Sequence, residues 1–583
     1  LKLRFALFMM ANRLVWIKLL GALCFAPLQG NAQLPKNYFH APLDIPLFLA
    51  GNFGEIRSNH FHAGLDIKTG GKEGKVVHPA AGGYVSRIKV SAFGYGKVLY
   101  IAHPNGYTTV YAHLKEFCGP IADYVKKLQY KRESWEIELF PDSGMFPVKI
   151  SDTIAFSGNS GGSLAPHLHF EIRDSKDQAP LNGLMFGFDI KDNIPPVISR
   201  IAVYPLTETS AVNGLHEPLF LSITGSAGKY RLASTEKISV QGSVGFGIEV
   251  FDRLSQIKNK CGVYSIEMYL DSRLHYKHLI ERIPFYETRF INSHLDYKAY
   301  KKDRREIQKC FVQPNNHLSI YQKSIQRGAI VLNDSVNHKM TFVVSDTYRN
   351  SSRISFVISA SLNHDRAPSD TSVKALFKYK ENNHFETDDI RIDIPASLLY
   401  EDLEFHYSLS DTLAGALAPV HRIQDIFTPI HSYMRVSIRV DGVDEKRPDK
   451  LLAVALNEDF KIIAAEGGHY DNGFVTFKTR SFGPYTVFYD TIPPRISPVN
   501  IRKGAALSGA RSIDVKITDN LSGIKYYRGT IDGKWILMAY EPKKALLSYA
   551  FDGGFKNGKE HIFRLIVRDE RGNQNEFSAK FTR

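Results

Sequence analysis

The sequence is poor in cysteine, tryptophan and methionine, with 4, 3 and 8 of these residues among 583. With so little cysteine, a closed, cysteine-rich zinc site is not expected to organise the chain. After residue 32, no apolar run reaches the roughly 20 residues that a membrane-spanning helix requires. The 29 Tyr and 37 Phe that are present favour β-rich packing, because aromatic side chains suit a pleated, half-buried surface.

The cysteines themselves suggest little chemistry. Cys24 lies in the N-terminal segment described below, whereas Cys261 and Cys310 fall in one predicted domain, where an oxidising compartment would permit a disulfide between them. Sequence spacing alone leaves that pairing open. Cys118 follows His113 closely, but no cysteine-nucleophile signature surrounds it, so we do not expect it to be catalytic.

The first 32 residues have the features of a secretory signal peptide. Basic residues without an acid lead to the apolar run Leu19 to Leu28, and Gly30-Asn-Ala32 supplies a small-x-small cleavage site. A membrane anchor is the alternative, but the run is too short to span. We expect export to the periplasm or cell envelope, or secretion. Loss of the four positive charges of this segment lowers the net charge from +14 to +10 (14 − 4).

The remaining positive charge would suit an anionic partner such as cell wall or lipid headgroups. Lys and Arg are spread along the chain, however, and no helix-turn-helix, zinc-finger or RNA-binding pattern accompanies them. Nucleic acid is therefore excluded as the expected partner.

Two short segments about a hundred residues apart carry the predicted chemistry: His62-Ala-Gly-Leu-Asp66 and His167-Leu-His169. In an extended strand, side chains two and four residues apart face the same side, so each pair should project together from a rigid element. Two imidazoles and one carboxylate, with a fourth position left to water, are typical of a catalytic zinc site. His113 follows a hairpin predicted at Asn105-Gly106, and its side chain should point toward the same surface as the predicted metal ligands.

Three other histidines and two turn residues are weaker candidates for the metal or substrate site. His60, His78 and His103 lack the spacing of the motif and are interpreted as ordinary structural histidines. Asn159 and Ser160 lie in the Gly/Ser-rich turn before the His-x-His strand, where they should shape the turn and could contact substrate.

Together these motifs resemble those of the lysostaphin/LytM-type zinc metallopeptidases, which cut peptide cross-links of bacterial peptidoglycan. The resemblance covers residues 53 to 173 and rests on these pieces in order: Phe61-His-Ala-Gly-Leu-Asp-Ile67, Gly94-Tyr-Gly96, His103-Pro-Asn-Gly106, Tyr111-Ala-His-Leu114, Ser157-Gly-Asn-Ser-Gly161 and Pro166-His-Leu-His-Phe-Glu171. It implies a small antiparallel β-sheet domain that binds one zinc ion per chain.

By the same resemblance, His62, Asp66 and His169 would be the zinc ligands, and His113 and His167 the two non-ligand histidines of the active site. One of the two would deprotonate or orient water, and the other would stabilise the oxyanion or protonate the leaving amine. The sequence leaves open which does which. It also leaves two alternatives to a peptidoglycan endopeptidase: a catalytically silent relative that binds the wall or activates an amidase, and a protease of other proteins.

Beyond the peptidase region the chain repeats itself. Three motifs recur in order: Asp192-Asn-Ile-Pro-Pro-Val-Ile198 as Asp490-Thr-Ile-Pro-Pro-Arg-Ile496, Asp252-Arg-Leu-Ser-Gln-Ile257 as Asp519-Asn-Leu-Ser-Gly-Ile524, and Asp346-x3-Asn350 as Asp569-x3-Asn573. Pro-Pro gives each copy a stiff, extended start. The acids could bind calcium between modules, or they could be solvated turn residues.

These patterns predict a mainly β chain of five segments. We expect a signal peptide (1–32), a zinc metallopeptidase domain (33–190), an immunoglobulin-like β-module with insertions (191–362, the first module), a β-rich segment (363–489, the middle segment) and a compact immunoglobulin-like β-module (490–583, the last module). The modules carry no chemical motif, so we expect them to bind wall or a partner protein and to leave residues 33–190 able to act alone.

Overall fold

The chain is mainly β, as predicted, and a computed structural model describes residues 34–235, 237–255, 258–361, 372–553, 555 and 558–583. The predicted signal peptide lies outside the described residues. No helix within the described ranges is both long and apolar enough to cross a membrane. Among the described residues, the four largest clusters of buried hydrophobic residues follow one another along the chain.

The domain that the sequence predicts to be a peptidase is built on one nine-stranded sheet and one three-stranded sheet, and all strand pairs of both are antiparallel. One helix lies between its strands. The elements are β1 (Leu49–Gly51), β2 (Ile56–Arg57), β3 (His60–Phe61), β4 (Leu65–Lys68), β5 (Val76–Val77), β6 (Gly83–Val90), β7 (Lys97–Ala102), β8 (Tyr107–Ala112), β9 (Leu114–Phe117), α1 (Gly119–Arg132), β10 (Ile137–Leu139), β11 (Pro147–Val148), β12 (Ala155–Ser157), β13 (His167–Asp174) and β14 (Pro180–Leu181), with a 3₁₀ turn at Gly183–Phe186.

The first module contains a large sheet and a short helical insertion. Its elements are β15 (Val197–Pro205), β16 (Ala211–Val212), β17 (Leu219–Ser226), β18 (Lys229–Leu232), β19 (Ile238–Gln241), β20 (Ser243–Phe251), β21 (Ser265–Leu270), β22 (Arg273–Leu279), α2 (Ile291–His294), α3 (Tyr297–Asp303), β23 (Ile307–Lys309), β24 (Tyr321–Ser324), β25 (Ile330–Val331), β26 (Asn337–Ser345) and β27 (Ser351–Ala360), with 3₁₀ turns at Thr288–Phe290 and Ile325–Gly328. Cys261 and Cys310 are both buried free thiols, so the permitted disulfide is not formed.

The middle segment has two five-stranded sheets and a short third pair. Its strands are β28 (Ala375–Phe377), β29 (Asn383–Glu386), β30 (Ile390–Ile394), β31 (Leu403–Phe405), β32 (Tyr407–Ser410), β33 (Val420–Ile423), β34 (Met434–Arg439), β35 (Leu451–Leu456), β36 (Ile462–Gly467), β37 (His469–Asp471), β38 (Phe474–Thr479) and β39 (Gly483–Tyr489), with a 3₁₀ turn at Pro448–Lys450.

The last module pairs a four-stranded with a five-stranded sheet. Its strands are β40 (Arg495–Pro498), β41 (Ala505–Ala506), β42 (Ser512–Thr518), β43 (Ile524–Ile531), β44 (Lys534–Trp535), β45 (Ala539–Glu541), β46 (Leu546–Ala550), β47 (Glu560–Asp569) and β48 (Gln574–Thr582), with a 3₁₀ turn at Pro542–Lys544.

The two modules that share the repeated sequence motifs also share the same pattern of strand pairing. In the first module β15 pairs with β20, and β26 lies between β21 and β27. In the last module β40 pairs with β42, and β47 lies between β43 and β48. The recurring motifs therefore occupy equivalent places in two copies of one strand arrangement.

Candidate metal centre and active site

Two neighbouring strands bring the predicted ligands together. β4 pairs antiparallel with β13, which places Asp66 directly opposite His169. His62 is not on the same strand as Asp66, contrary to the sequence prediction, because the chain bends between β3 and β4. At the bend Gly64 lies against the carbonyl oxygen of Phe170, where a Cβ atom would approach to 2.4 Å. A residue with a side chain would therefore clash at this position.

Three side chains converge despite that bend, and all three are buried: His62, Asp66 and His169. His62 Nε2 lies 3.0 Å from Asp66 Oδ1 and 3.1 Å from His169 Nδ1, and His169 Nδ1 lies 2.9 Å from Asp66 Oδ1. Atoms this close to one another can all be ligands of one metal ion.

Hydrogen bonds to the far side of each ring define which nitrogen faces the cluster. His62 Nδ1 lies 2.7 Å from the carbonyl oxygen of Asn52, which can only accept, so Nδ1 carries the proton and Nε2 offers a lone pair. His169 Nε2 donates to Glu171 Oε1 at 2.8 Å, which leaves Nδ1 as the inward-facing atom. Three acceptor atoms thus converge, and such a cluster requires a positive charge.

The pKa values agree with that requirement. Burial lowers the pKa of His62 and keeps it neutral. Burial also acts to lower the pKa of His169, but hydrogen bonds to Asp66 and Glu171 raise it to about 9. A proton on His169 can therefore supply the charge, and a metal ion can replace it, as expected where neutral imidazoles are ligands.

Sequence reasoning gave no role to Glu171, although it orients His169. Glu171 is buried and also accepts hydrogen bonds from Arg173 Nε at 2.6 Å and from the Tyr95 hydroxyl at 2.5 Å. Against the effect of burial, Arg173 and His169 lower the pKa of Glu171 to about 2. The alternation of His169, Glu171 and Arg173 along one strand was the available signal, since residues two apart share a face.

Residues before His62 were also missed, and no sequence pattern marks them. Arg57 donates to the second oxygen of Asp66 at 3.2 Å. Asn52, whose carbonyl oxygen receives the proton of His62, forms two side-chain hydrogen bonds with Gly262 of the first module, at 2.9 and 2.7 Å.

The two non-ligand histidines lie beside the cluster. His113 follows β8 with a positive φ of 58°, and its ring centroid is 4.9 Å from that of His167. His113 Nδ1 donates to the carbonyl oxygen of Ser160 at 2.9 Å, and His167 Nδ1 donates to that of Ala165 at 2.8 Å. The neutral His113 ring therefore presents Nε2 as an acceptor, and His167 Nε2 lies 3.3 Å from Asp66 Oδ1.

The turn before β13 is held by backbone contacts. The Ser160 hydroxyl donates to the carbonyl oxygen of Leu114 and accepts from the backbone of Lys97, so it serves the fold. Asn159 Oδ1 is buried with no hydrogen-bond partner.

A residue of the last module reaches this turn. Lys543 Nζ donates to the carbonyl oxygens of Asn159 and Ser163, at 2.6 and 2.8 Å. The last module also contacts α1, where Asp552 binds the Tyr130 hydroxyl at 2.5 Å and Lys126 at 3.2 Å. The last module thus contacts both the turn that precedes β13 and helix α1.

The other histidines are structural, as expected. His60 is exposed on β3, and its Nδ1 lies 2.9 Å from the carbonyl oxygen of Ser58. His78 contacts Asp152 and Asp44, and His103 contacts Gly82 and Thr109, all outside the cluster.

Comparison with family models gives two matches. Residues 60–130 match the model described as Peptidase family M23, a range that includes His62, Asp66 and His113 but ends before His167. Residues 374–490 match the model of a Zu5-like domain, in the segment where the sequence indicated only a β-rich region. None of the curated proteins compared with the chain matches it.

Several solved structures are similar to the peptidase domain. They include the catalytic domain of the prophage-encoded M23 protein EnpA from Enterococcus faecalis (20% identity, 24% of this chain and 88% of that chain, TM-score 0.18). A zinc-containing peptidase from Vibrio cholerae is 24% identical, covering 25% of this chain and 39% of that chain with a TM-score of 0.19. The catalytic domain of lysostaphin from Staphylococcus simulans is 20% identical, covering 23% of this chain and 87% of that chain with a TM-score of 0.18. These TM-scores are low, so the assignment rests on the family model. The chain carries an N-terminal domain of peptidase family M23, followed by β-rich modules that include a Zu5-like domain.

Proposed function

We propose that this chain is an exported zinc metalloendopeptidase that hydrolyses peptide cross-links of bacterial peptidoglycan. The observation that carries the proposal is the convergence of His62 Nε2, Asp66 Oδ1 and His169 Nδ1 beside two further histidines whose rings are oriented by hydrogen bonds from Nδ1 to backbone carbonyl oxygens. A silent relative would have no need of all five side chains in this arrangement. The sequence features of residues 1–32 support export.

Zinc is the metal that two imidazoles and a carboxylate suit, and when bound it would supply a water of lowered pKa and polarise the scissile carbonyl. His113 is 9% exposed, and burial, together with positive charge on His169 and His167, lowers its pKa to about 3. The low pKa keeps the His113 ring neutral, so we assign its Nε2 to accepting a hydrogen bond from the attacking water and orienting it. His167 lies beside His113 with its side chain 16% exposed, and we assign it to taking the proton of that water and passing it to the leaving amine.

The test is mass spectrometry of fragments released from purified sacculi by residues 33–583, with and without a zinc chelator. We expect chelator-sensitive release of cleaved peptides. His62→Ala should abolish release, and His60→Ala, which changes an exposed histidine two residues away, should not. Binding to sacculi without release would identify the silent alternative, and cleavage of casein but not sacculi would identify a protease of other proteins.

A further inference from the structure

The two repeated modules each gather three carboxylates at an equivalent place. In each group the candidate ligand oxygens all lie within 4.8 Å of one another. We name the groups the first acidic triad (Asp192, Asp252 and Asp346) and the second acidic triad (Asp490, Asp519 and Asp569).

The two triads occupy the same positions in the strand arrangement. The first acid of each lies before the opening strand, β15 or β40. The second follows the strand paired with it, β20 or β42, and the third lies where the chain turns into the last strand, β27 or β48. Each triad therefore joins the start of its module to two of its loops.

One asparagine positions the acids of each triad. Asn350 Nδ2 donates to Asp346 Oδ2 at 2.7 Å and to the carbonyl oxygen of Asp192 at 3.3 Å. Asn573 Nδ2 makes the same two bonds, to Asp569 and Asp490, at 2.8 and 2.9 Å. These bonds orient the carboxylates but supply no positive charge.

Several oxygens of the triads are buried without any partner. In the first triad these are Asp252 Oδ1, on a residue only 2% exposed, and Asp192 Oδ2. In the second they are Asp490 Oδ1, on a residue 1% exposed, and Asp519 Oδ1, beside the unpartnered hydroxyl of Ser522. Asp252, Asp346 and Asp569 are therefore buried and are not the solvated turn residues that the sequence allowed, whereas Asp519 is half-buried.

No Lys or Arg neutralises the triads. None of the ion pairs found among the described residues includes any of the six carboxylates. Buried carboxylates that lack a counter-charge and have oxygens without a hydrogen-bond partner are costly, and proteins resolve this by protonating them, by pairing them or by coordinating a metal.

We propose that each acidic triad binds one calcium ion. The donors are all carboxylate oxygens, which hard cations prefer, and no His or Cys belongs to either group, which argues against zinc. The oxygens of each triad lie close enough to one another to contact one ion together. Three carboxylates from three segments favour calcium over magnesium, which usually takes one or two and keeps its waters.

Calcium at the first triad would also support the junction with the peptidase domain. Asp252 exchanges two backbone hydrogen bonds with Cys261, at 2.8 and 2.9 Å. The next residue, Gly262, is the one that holds Asn52. An ion bound at this triad would therefore fix the loop on which the module contacts the peptidase domain.

The test is calorimetric titration of residues 33–583 with CaCl₂ alone, with the zinc content held constant. We expect two ions per chain, a higher thermal midpoint in calcium than in EGTA, and weaker or no binding of MgCl₂. Asp252→Asn and Asp519→Asn should each lose one ion, and the double variant both. Asp459→Asn, which alters an exposed aspartate of the middle segment, should keep two.

Thermal unfolding in EGTA separates an ion site from a purely structural cluster. Because asparagine removes one of the repelling charges, the variants in EGTA should be at least as stable as the unmodified chain in EGTA. Absence of calcium binding by the unmodified chain would overturn the proposal even if a variant failed to fold. The proposal would also be overturned if Asp252→Asn lowered the thermal midpoint equally in calcium and in EGTA. Tighter binding of magnesium than of calcium would overturn the choice of ion.

Discussion

Replacing Asn52 with alanine should weaken metal binding although Asn52 is not a ligand. Its carbonyl oxygen accepts the Nδ1 proton of His62 at 2.7 Å, and its side chain, on a residue 5% exposed, is bonded twice to Gly262 of the first module. One residue thus links the orientation of a ligand to a contact between domains.

The magnitude follows from the two bonds that are lost. Each contributes about 1 kcal/mol net, and leaving the Gly262 donor and acceptor unpaired costs about 1–3 kcal/mol more, so the junction should lose roughly 3–5 kcal/mol. Partners of ligating histidines typically change metal affinity by about 10–100-fold. Because the Asn52 carbonyl itself remains, we expect the lower end, about tenfold.

The assay is chelator competition for zinc alongside thermal unfolding. Asn182→Ala is the matched control, because Asn182 Nδ2 donates to the Ile280 carbonyl oxygen at 3.0 Å at the same junction and contacts no ligand. We expect both variants to lower the thermal midpoint and only Asn52→Ala to weaken zinc binding. Unchanged zinc affinity in Asn52→Ala, or an equal change in both variants, would refute the link from Gly262 to His62.

The remaining predictions concern the site itself. His62→Ala and His169→Ala should lose both zinc, by elemental analysis, and activity, because two remaining ligands hold the ion poorly; stoichiometric zinc in either would contradict the ligand assignment. His113→Ala and His167→Ala should keep zinc but lose about 10²–10⁴ in rate, and loss of zinc from His167→Ala would make His167 a ligand, given its 3.3 Å approach to Asp66. Lys543→Met should lower kcat/KM on soluble muropeptides about fivefold, equivalent to about 1 kcal/mol, with zinc content unchanged; Lys544→Met, which contacts Glu541 and not the turn, is its control.

The parts of the site that could be predicted are those that depend on local periodicity. The alternation of His167 and His169 places both on β13, and the Asn105-Gly106 hairpin forms as expected between β7 and β8. These elements are determined by contacts between residues close in sequence, so pattern and spacing suffice.

What could not be predicted depends on close approach between distant segments. The bend at Gly64 arises from the Phe170 carbonyl about a hundred residues away, and no local pattern reports it. Asn52 meets Gly262 and Lys543 meets Asn159 across separations of 210 and 384 residues. Without a chemical motif at either end, the sequence gives no reason to pair them.

These long-range contacts bear on whether the peptidase domain can act alone. Phe53, Ile56 and Phe61, all buried, pack against the helical insertion of the first module, which includes Phe290 and Ile291. Burial of one such side chain contributes about 1.5–3 kcal/mol, so removing the module would cost roughly 5–9 kcal/mol, comparable to the whole stability of a typical domain.

The sequence predicted an independent peptidase domain, but these contacts lead to a different prediction. We predict that a fragment of residues 34–190 unfolds at a lower temperature than the full chain and binds zinc poorly. A fragment of residues 34–361 should keep both the thermal midpoint and the zinc affinity of the full chain. Both fragments lack Lys543, so the comparison isolates the first module. A zinc-loaded 34–190 fragment with the thermal midpoint of the longer one would show that the exposed Phe53, Ile56 and Phe61 surface is tolerated in water and that His62 keeps its orientation without Gly262.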